Sequence, residues 1–97
     1  MGEKLEPLDP VLSSPVRLAV MSILIKVKQA GFQTLMEGTE TTQGNMSQQL
    51  KRLSEEGYIK IEKTYKDNYP HTVCMLTPKG KKAFEKYVED LKRYLNL

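Results

Sequence analysis

Apolar side chains recur every three or four residues in two long stretches near the ends of the chain, a spacing that predicts amphipathic helices. The first helix is predicted to begin at Ser14 and Pro15, an N-capping residue followed by a residue favoured in the first helical turn, and to stop before Gly31. The last helix is predicted to begin at Thr77 and Pro78 for the same reasons and to run to the end of the chain.

A third amphipathic stretch lies in the middle of the chain. Thr42 is suited to cap it, Met46, Leu50 and Leu53 form one apolar stripe along it, and Gly57 ends it.

A shorter segment precedes this central helix. Residues 32–34 are predicted to be extended, and Thr34 is predicted to cap a brief helix that runs towards Glu40. Two helices joined across a short turn make a candidate helix-turn-helix.

Beyond the central helix the apolar period changes to that of a strand. Ile59 and Ile61 alternate with polar residues, as in a half-buried strand. Residues 66–70 (KDNYP) are turn formers that predict a long loop, and residues 72–76 predict a returning strand. Residues 58–77 are therefore predicted to form a β-hairpin.

The predicted order of elements is helix, short strand, helix, helix, β-hairpin and long terminal helix, which is an α+β class. With 97 residues there is room for one domain, residues 1–97. Residues 1–13, interrupted by Pro7 and Pro10, are predicted to form an N-terminal arm, and residues 78–97 the terminal helix.

Composition and charge add weaker constraints. The net charge of +3 permits a polyanionic partner without requiring one. Residues 43–59 carry two cations and two acids, so any recognition there depends on particular side chains. Since Cys74 is the single cysteine and no apolar stretch approaches the roughly 20 residues of a membrane span, we expect a cytoplasmic protein without membrane contact.

Catalytic and metal-binding patterns are not evident in the sequence. No nucleophile with a base, carboxylate pair or phosphate loop is found, so we expect no enzyme activity, no cofactor and no metal. His71 and Cys74 lie three apart on a strand and point to opposite faces, so they cannot share one ion. Cys74 is predicted to be a small buried hydrophobe, and the alternative is a thiol sensor.

Four segments, taken together, resemble the winged helix-turn-helix regulators, most closely the short MarR-like members. These segments are residues 8–18 (LDPVLSSPVRL), 44–59 (GNMSQQLKRLSEEGYI), 70–72 (PHT) and 76–80 (LTPKG), and the resemblance covers residues 8–96. It implies a transcription regulator whose recognition helix, residues 43–56, enters the major groove of double-stranded promoter or operator DNA. It also implies that the 58–77 hairpin is a wing on the backbone or minor groove, and that the chain ends form a homodimer.

The outward face of the recognition helix has suitable chemistry for this role. Asn and Gln side chains make bidentate contacts to adenine, and Lys and Arg contact phosphates or guanine. The wing carries Lys residues where relatives usually carry Arg, so we expect it to contact phosphates. The predicted DNA-contacting residues are Thr42, Gln43, Gly44, Asn45, Ser47, Gln48, Gln49, Lys51, Arg52, Lys63, Lys66 and His71.

Three alternatives stay open at this point. The polar helix face is also consistent with a solvated surface or with a winged helix that binds proteins inside a transcription or remodelling assembly. The chain is also consistent with the dimerisation module of an enzyme. MarR-like proteins often bind phenolic effectors; 97 residues leave little spare volume, which disfavours a small-molecule effector without excluding one.

The terminal helix has a wider apolar face than a small core can cover, which predicts self-association together with the arm. The predicted dimer residues are Leu5, Leu8, Val11, Phe84, Tyr87, Val88, Leu91, Tyr94 and Leu95.

Overall fold

The computed structural model of the chain describes residues 4–97, and its elements follow the predicted order. Within that range, four helices and three strands are present: α1 Pro15–Val27, β1 Gln29–Gly31, α2 Phe32–Thr39, α3 Gln43–Glu55, β2 Ile59–Lys66, β3 Tyr69–Leu76 and α4 Pro78–Leu95. The strands form one antiparallel sheet in the order β1-β3-β2, in which Cys74 of the central strand pairs with Ala30 on one side and Ile61 on the other. The predicted α+β class is confirmed.

Three helices begin where the sequence predicts, because the expected side chains cap them. Ser14, Thr42 and Thr77 each accept a hydrogen bond from the backbone N–H three residues further on, at distances of 3.4, 3.1 and 2.9 Å. Pro15 and Pro78 occupy first helical positions, where a missing N–H has no cost.

The short strand lies three residues earlier than predicted. Lys28 has a positive φ of 73° and ends α1, after which β1 pairs with β3. Residues 32–34 are therefore helical, and Thr34 lies inside α2, which begins after Gly31. The prediction of an extended 32–34 segment was wrong. A strand of three residues is defined by its pairing with another strand, here residues 29–31 with β3, and this pairing has no local signal in the sequence.

The wing has a two-residue turn in place of the predicted long loop. Asp67 and Asn68 both have positive φ values, 52° and 69°, which is the requirement of a type I′ turn between paired strands. Pro70 is accommodated in β3 because β1 covers only the stretch from Val73 to Met75.

The core lies between helices α1 to α3 and the inner face of the sheet. Met46, Leu50 and Leu53 of α3 are all buried, as the apolar stripe predicts. The other side chains with no exposed surface are Leu12, Val20, Met21, Leu24, Leu35 and Cys74. Among residues 4–97, the helices lack the combination of length and apolar character needed to cross a membrane.

The start of α4 packs closely against the segment that follows α3. The Thr77 hydroxyl donates to the carbonyl oxygen of Gly57 at 2.6 Å, and the Thr77 N–H donates to the carbonyl oxygen of Tyr58 at 3.2 Å. Gly80 is buried beside Tyr58, and a Cβ atom at Gly80 would overlap that carbonyl group. This close approach explains why the first turn of α4 carries a glycine despite its low helix propensity.

Replacing Gly80 with alanine is expected to lower the free energy of unfolding by about 2 kcal/mol or more, because the added methyl group forces helix and backbone apart. Gly44→Ala is the matched control, since a Cβ there meets nothing within 4 Å and alanine favours the helix by about 0.5 to 1 kcal/mol. Urea denaturation of both variants measures the difference. Equal stabilities would show that the contact at Gly80 is not a constraint.

Candidate nucleic-acid interface

Burial of the apolar stripe of α3 determines which of its residues face solvent. Consecutive helical residues are about 100° apart, so the side opposite Met46 and Leu50 is exposed. Of the residues predicted to contact DNA, that side carries Gly44, Gln48, Lys51 and Arg52, and the flank next to Leu50 carries Gln43 and Ser47. All six are exposed. Thr42, just before them, is exposed as well, although its hydroxyl already accepts the capping hydrogen bond.

Two of the predicted base-reading residues are committed to hydrogen bonds within the chain. The amide group of Gln49 donates to the side-chain oxygen of Asn45 at 3.0 Å. The amide group of Asn45 donates in turn to the hydroxyl of Thr41 at 2.7 Å. Both side chains are half-buried on the edge of α3 that faces α1. The structure therefore separates Asn45 and Gln49 from the freely exposed Gln48.

Arg17 of α1 was missed by the sequence analysis. It extends these hydrogen bonds to a row of four side chains, Arg17, Gln49, Asn45 and Thr41. Its Nη1 donates to the side-chain oxygen of Gln49 at 2.6 Å, and its Nε donates to the carbonyl oxygen of Val11 at 2.6 Å. The available signal was weak: Arg17 is the one charged residue between Asp9 and Lys26, in an otherwise apolar stretch.

The charges on the exposed side of α3 nearly cancel. Arg52 forms an ion pair with Glu56 at 3.2 Å, and both side chains are partly exposed. Lys51 is exposed without an ion pair within the described range, and Glu55 lies one turn further along the same side. Solvent screens such charges strongly, so this surface attracts a polyanion only weakly.

Lys63 lies on the wing face that is turned towards α3. It shares that face with Ile59 and Ile61, which reach the core, and it stands opposite Thr72 on the neighbouring strand. Between wing and helix there is an open groove of about 330 Å³, whose lining includes Gln43, Ser47, Lys63 and Thr72. The groove brings polar groups of the helix and a cation of the wing to one place.

The tip of the wing is highly exposed. Lys66 precedes the turn and lies on the opposite face from Lys63. Tyr65 and Tyr69 have 75% and 74% of their surface exposed. Both rings are open to solvent because the strands near the tip have no covering element.

His71 lies away from the other cations of the wing. It pairs with Thr64 across the hairpin, and its half-buried ring packs over Gly31, where an added Cβ would come within 2.9 Å of the ring. The structure therefore does not group His71 with Lys63 as a single charged cluster.

His71 and Cys74 project from opposite faces of β3, as predicted. In residues 4–97 there is no group of three His, Cys, Asp or Glu side chains placed to hold a metal ion. Burial raises the pKa of the Cys74 thiol to about 11, which keeps it protonated and unreactive at neutral pH.

The arm is attached to its own chain. The carboxylate of Asp9 accepts hydrogen bonds from the N–H of Val11 at 2.9 Å and from the hydroxyl of Tyr58 at 2.5 Å. Burial and this hydrogen bond raise the pKa of the Tyr58 phenol. Further along the arm, the carbonyl oxygen of Glu6 accepts a hydrogen bond from the hydroxyl of Tyr94 at 2.8 Å. Residues 1–3 of the predicted arm lie outside the described residues.

These attachments divide the predicted dimer residues into two groups. Val11 and Tyr87 are buried in the core of their own chain, and Leu8 packs against it, so none of these is a freely exposed surface residue. Val11 and Tyr87 therefore offer little free surface to a partner chain. The remaining residues of the set are partly or largely exposed: Leu5, Phe84, Val88, Leu91, Tyr94 and Leu95.

Comparison with known proteins agrees with this geometry. A family model described as a winged helix DNA-binding domain matches residues 16–95. An uncharacterized protein of Methanocaldococcus jannaschii is 28% identical over 81 residues, which are 84% of this chain and 88% of that protein.

Two solved structures show the same arrangement. A transcriptional regulator homologue protein from Pyrococcus horikoshii OT3 matches with a TM-score of 0.83 at 28% identity, over 89% of this chain and 85% of that one. A MarR family transcriptional regulator from Silicibacter pomeroyi matches with a TM-score of 0.69 at 20% identity, over 86% of this chain and 55% of that one. The second likeness concerns the fold alone.

The buried thiol of Cys74 is expected to react slowly with a disulfide reagent in the folded protein at pH 8 and rapidly after unfolding in guanidinium. The unfolded thiol ionises near its ordinary pKa of 9.0 and the folded one near 11. Its contribution to stability is therefore complete below about pH 9 and is lost as the pH rises through about 11. The difference in unfolding free energy between wild type and Cys74→Ala should fall by up to about 3 kcal/mol across that window. Rapid labelling of the folded protein at pH 8 would instead support a thiol sensor.

Proposed function

Because the chain belongs to the winged helix DNA-binding domain family, we propose that it is a transcription regulator that binds specific double-stranded promoter or operator sequences as a homodimer. In this proposal α3 enters the major groove and the wing lies on the backbone or minor groove. The protein then works in the compartment that holds the DNA, which we expect to be the cytoplasm.

The proposal is carried by one observation, the exposed side of α3 beside the wing groove. Gln43, Ser47, Gln48 and Lys51 are exposed there and have no side-chain hydrogen bond or ion pair within residues 4–97. Their donors and acceptors are available to a partner.

Gln48 is the side chain best suited to read a base. Its amide can pair with N6 and N7 of an adenine, a contact that discriminates against other bases by about 1 to 3 kcal/mol. Gly44 lies one turn earlier on the same side with open space above it, which permits close approach of the DNA. Lys51 lies one turn later and suits a phosphate or a guanine.

The wing supplies phosphate contacts from two faces. Lys63 points towards the groove beside α3, and Lys66 lies next to the turn. An ammonium group is a point charge without the planar fork of arginine, so these residues hold the backbone and do not read the sequence. The exposed rings of Tyr65 and Tyr69 are placed to pack on sugars beside them.

The homodimer is supported by the unoccupied side of α4. Phe84, Val88 and Leu95 follow one another along the helix, and the first two border an open groove of about 430 Å³ next to Ile25 of α1. Leu95 remains 58% exposed. The arm contacts an adjacent side of α4, through Tyr87 and Tyr94, and leaves these apolar residues available to a second copy of the chain.

The overall dimensions also support a partner. The radius of gyration is 14.8 Å and the longest axis is 59 Å. A compact chain of this length has a radius of gyration of about 13 Å. The helix α4 and the wing thus extend beyond the core, and a two-fold dimer through α4 would place two α3 helices about one DNA turn, ~34 Å, apart.

The DNA-binding proposal is tested by titrating the protein on its own promoter fragment and on shuffled DNA across a salt series. Gln48→Ala is expected to reduce the preference for the promoter about tenfold, because the lost contact reads a base. Lys66→Ala is expected to weaken binding to all sequences alike and to lower the salt slope by about one unit.

The control for lost charge is Lys82→Ala, on an exposed side of α4 remote from both elements, which should leave preference and slope unchanged. Equal, weak binding of wild type to both DNAs would contradict sequence-specific regulation and would favour the protein-contact alternative.

The homodimer is tested by sedimentation at micromolar concentration. Val88→Asn is expected to weaken self-association at least about tenfold, because it places an amide in an apolar contact. Lys82→Asn introduces the same side chain on the exposed opposite side and should have no effect. A wild-type mass of one chain, 11.1 kDa, would contradict the dimer.

A further inference from the structure

From the row of hydrogen bonds between α1 and α3 we infer that Arg17 is a positioning residue for recognition: it holds Asn45 and Gln49 so that Gln48, and not these two, reads the bases. The inference rests on the proposed function, since it concerns how the same surface recognises DNA. It takes Asn45 and Gln49 out of the predicted set of base-reading residues. It also gives Arg17 a part in recognition although Arg17 does not touch DNA.

The row is continuous over four side chains. Arg17 donates to Gln49 at 2.6 Å, Gln49 donates to Asn45 at 3.0 Å, and Asn45 donates to Thr41 at 2.7 Å. Thr41 lies in the turn between α2 and α3, so the row runs along the first half of α3 and ends at its N-terminal turn. Each link uses a donor or acceptor that a base contact would need.

The two ends of the row are anchored in different parts of the fold. At one end the guanidinium group also holds the carbonyl oxygen of Val11, a buried residue of the arm, at 2.6 Å. At the other end the backbone N–H of Asn45 donates to the capping hydroxyl of Thr42 at 3.1 Å. The rotation of α3 about its own axis is therefore tied both to the arm and to the turn.

The chemistry of this position favours arginine. Arg17 is half-buried, and within residues 4–97 it has no carboxylate partner; both of its acceptors are neutral oxygens. An unpaired cation in such a position is costly unless its directed donors are used. The two acceptors are held by two different nitrogens of one rigid plane, Nε for Val11 and Nη1 for Gln49; the three N–H groups of a lysine diverge from a single nitrogen and do not reproduce this spacing.

A committed amide is a poor base reader. To pair both its oxygen and its amide with an adenine, Gln49 would have to turn away from Arg17 and Asn45, which would leave Nη1 of the half-buried Arg17 without its acceptor. Gln48 has no such partner within residues 4–97, so it reaches a base at no internal cost. This difference is the reason that base contact is assigned to Gln48 and not to its neighbour Gln49.

The deciding variant is Arg17→Lys, which keeps the charge and replaces the two-nitrogen bridge by donors on a single nitrogen. The probes are a duplex selected by the wild-type protein from a random pool and the same duplex with its bases shuffled. We expect the ratio of the two affinities to fall about tenfold, with binding to shuffled DNA and the salt slope unchanged. If Arg17 were a simple phosphate contact, lysine would replace it and the ratio would stay at the wild-type value, which would overturn the inference.

The matched control is Arg93→Lys, the same substitution on α4, where Arg93 pairs with Asp90 at 2.9 Å. It is expected to leave the affinity ratio unchanged. A loss of the ratio in both variants would overturn the inference, because it would show a general effect of replacing arginine.

A double-mutant cycle separates positioning from base reading. If Arg17 and Gln49 belong to one row, Arg17→Lys and Gln49→Ala each lower the affinity ratio by a similar factor and the double variant lowers it no further. If Gln49 reads a base on its own, the two losses multiply and the selected base changes at one position only in Gln49→Ala. That second result would overturn the inference.

A measurement without DNA keeps the inference distinct from the proposed function. In the wild type, the side-chain amide protons of Asn45 and Gln49 should exchange slowly with water, and in Arg17→Lys those of Gln49 should exchange several-fold faster while core backbone amides are unchanged. Equal exchange in both proteins would overturn the inference. If the row is present but the wild type selects no duplex from the pool, the proposed function fails and the role in recognition fails with it.

Discussion

Helix α3 is held in the fold by three side chains, Met46, Leu50 and Leu53, which are buried against α1 and the sheet. Because the angular positions of helical residues are fixed relative to one another, this single contact also determines what the helix presents elsewhere. It directs Gln48 away from the protein, and it places Gln49 on the border where Arg17 reaches it. One apolar contact thus sets both the exposed polar side of α3 and the hydrogen-bonded row beside it.

The charges of the molecule are arranged so that attraction and selection are separate. The exposed side of α3 is close to neutral, with Arg52 paired to Glu56, whereas Lys63 and Lys66 of the wing have no ion pair within residues 4–97. Charge alone binds any phosphate backbone, and selection requires directed donors and acceptors. The net charge of +3 provides little bulk attraction, so in the DNA complex proposed above selection would rest on the exposed amides of α3.

Features that depend on a residue and its close neighbours in sequence could be predicted from the sequence. The caps at Ser14, Thr42 and Thr77 are of this kind, and so is the apolar stripe of α3. Both depend on residues three or four positions apart, which are neighbours in one turn of helix. Features that depend on distant partners could not. The strand β1 exists only through pairing with β3, and its position was therefore misplaced.

The candidate site shows the same limit. The exposed residues of α3 follow from helical spacing, but the bond from Arg17 to Gln49 joins residues 32 positions apart and has no signature in either segment. The turn of the wing was predicted to be longer than it is because Tyr69 and Pro70 are common in loops. In the fold they extend a strand that has no neighbour on one side near the tip.

The arm has a consequence for where the folding unit begins. The family match starts at Val16, yet Val11 and Leu12 are core residues and Asp9 holds the hydroxyl of Tyr58. A piece of the chain cut at the edge of the match would lose two core side chains and would leave a buried phenol without its acceptor. Transplanting this module into another protein therefore requires the segment that precedes its first helix, because that segment is part of the hydrophobic core.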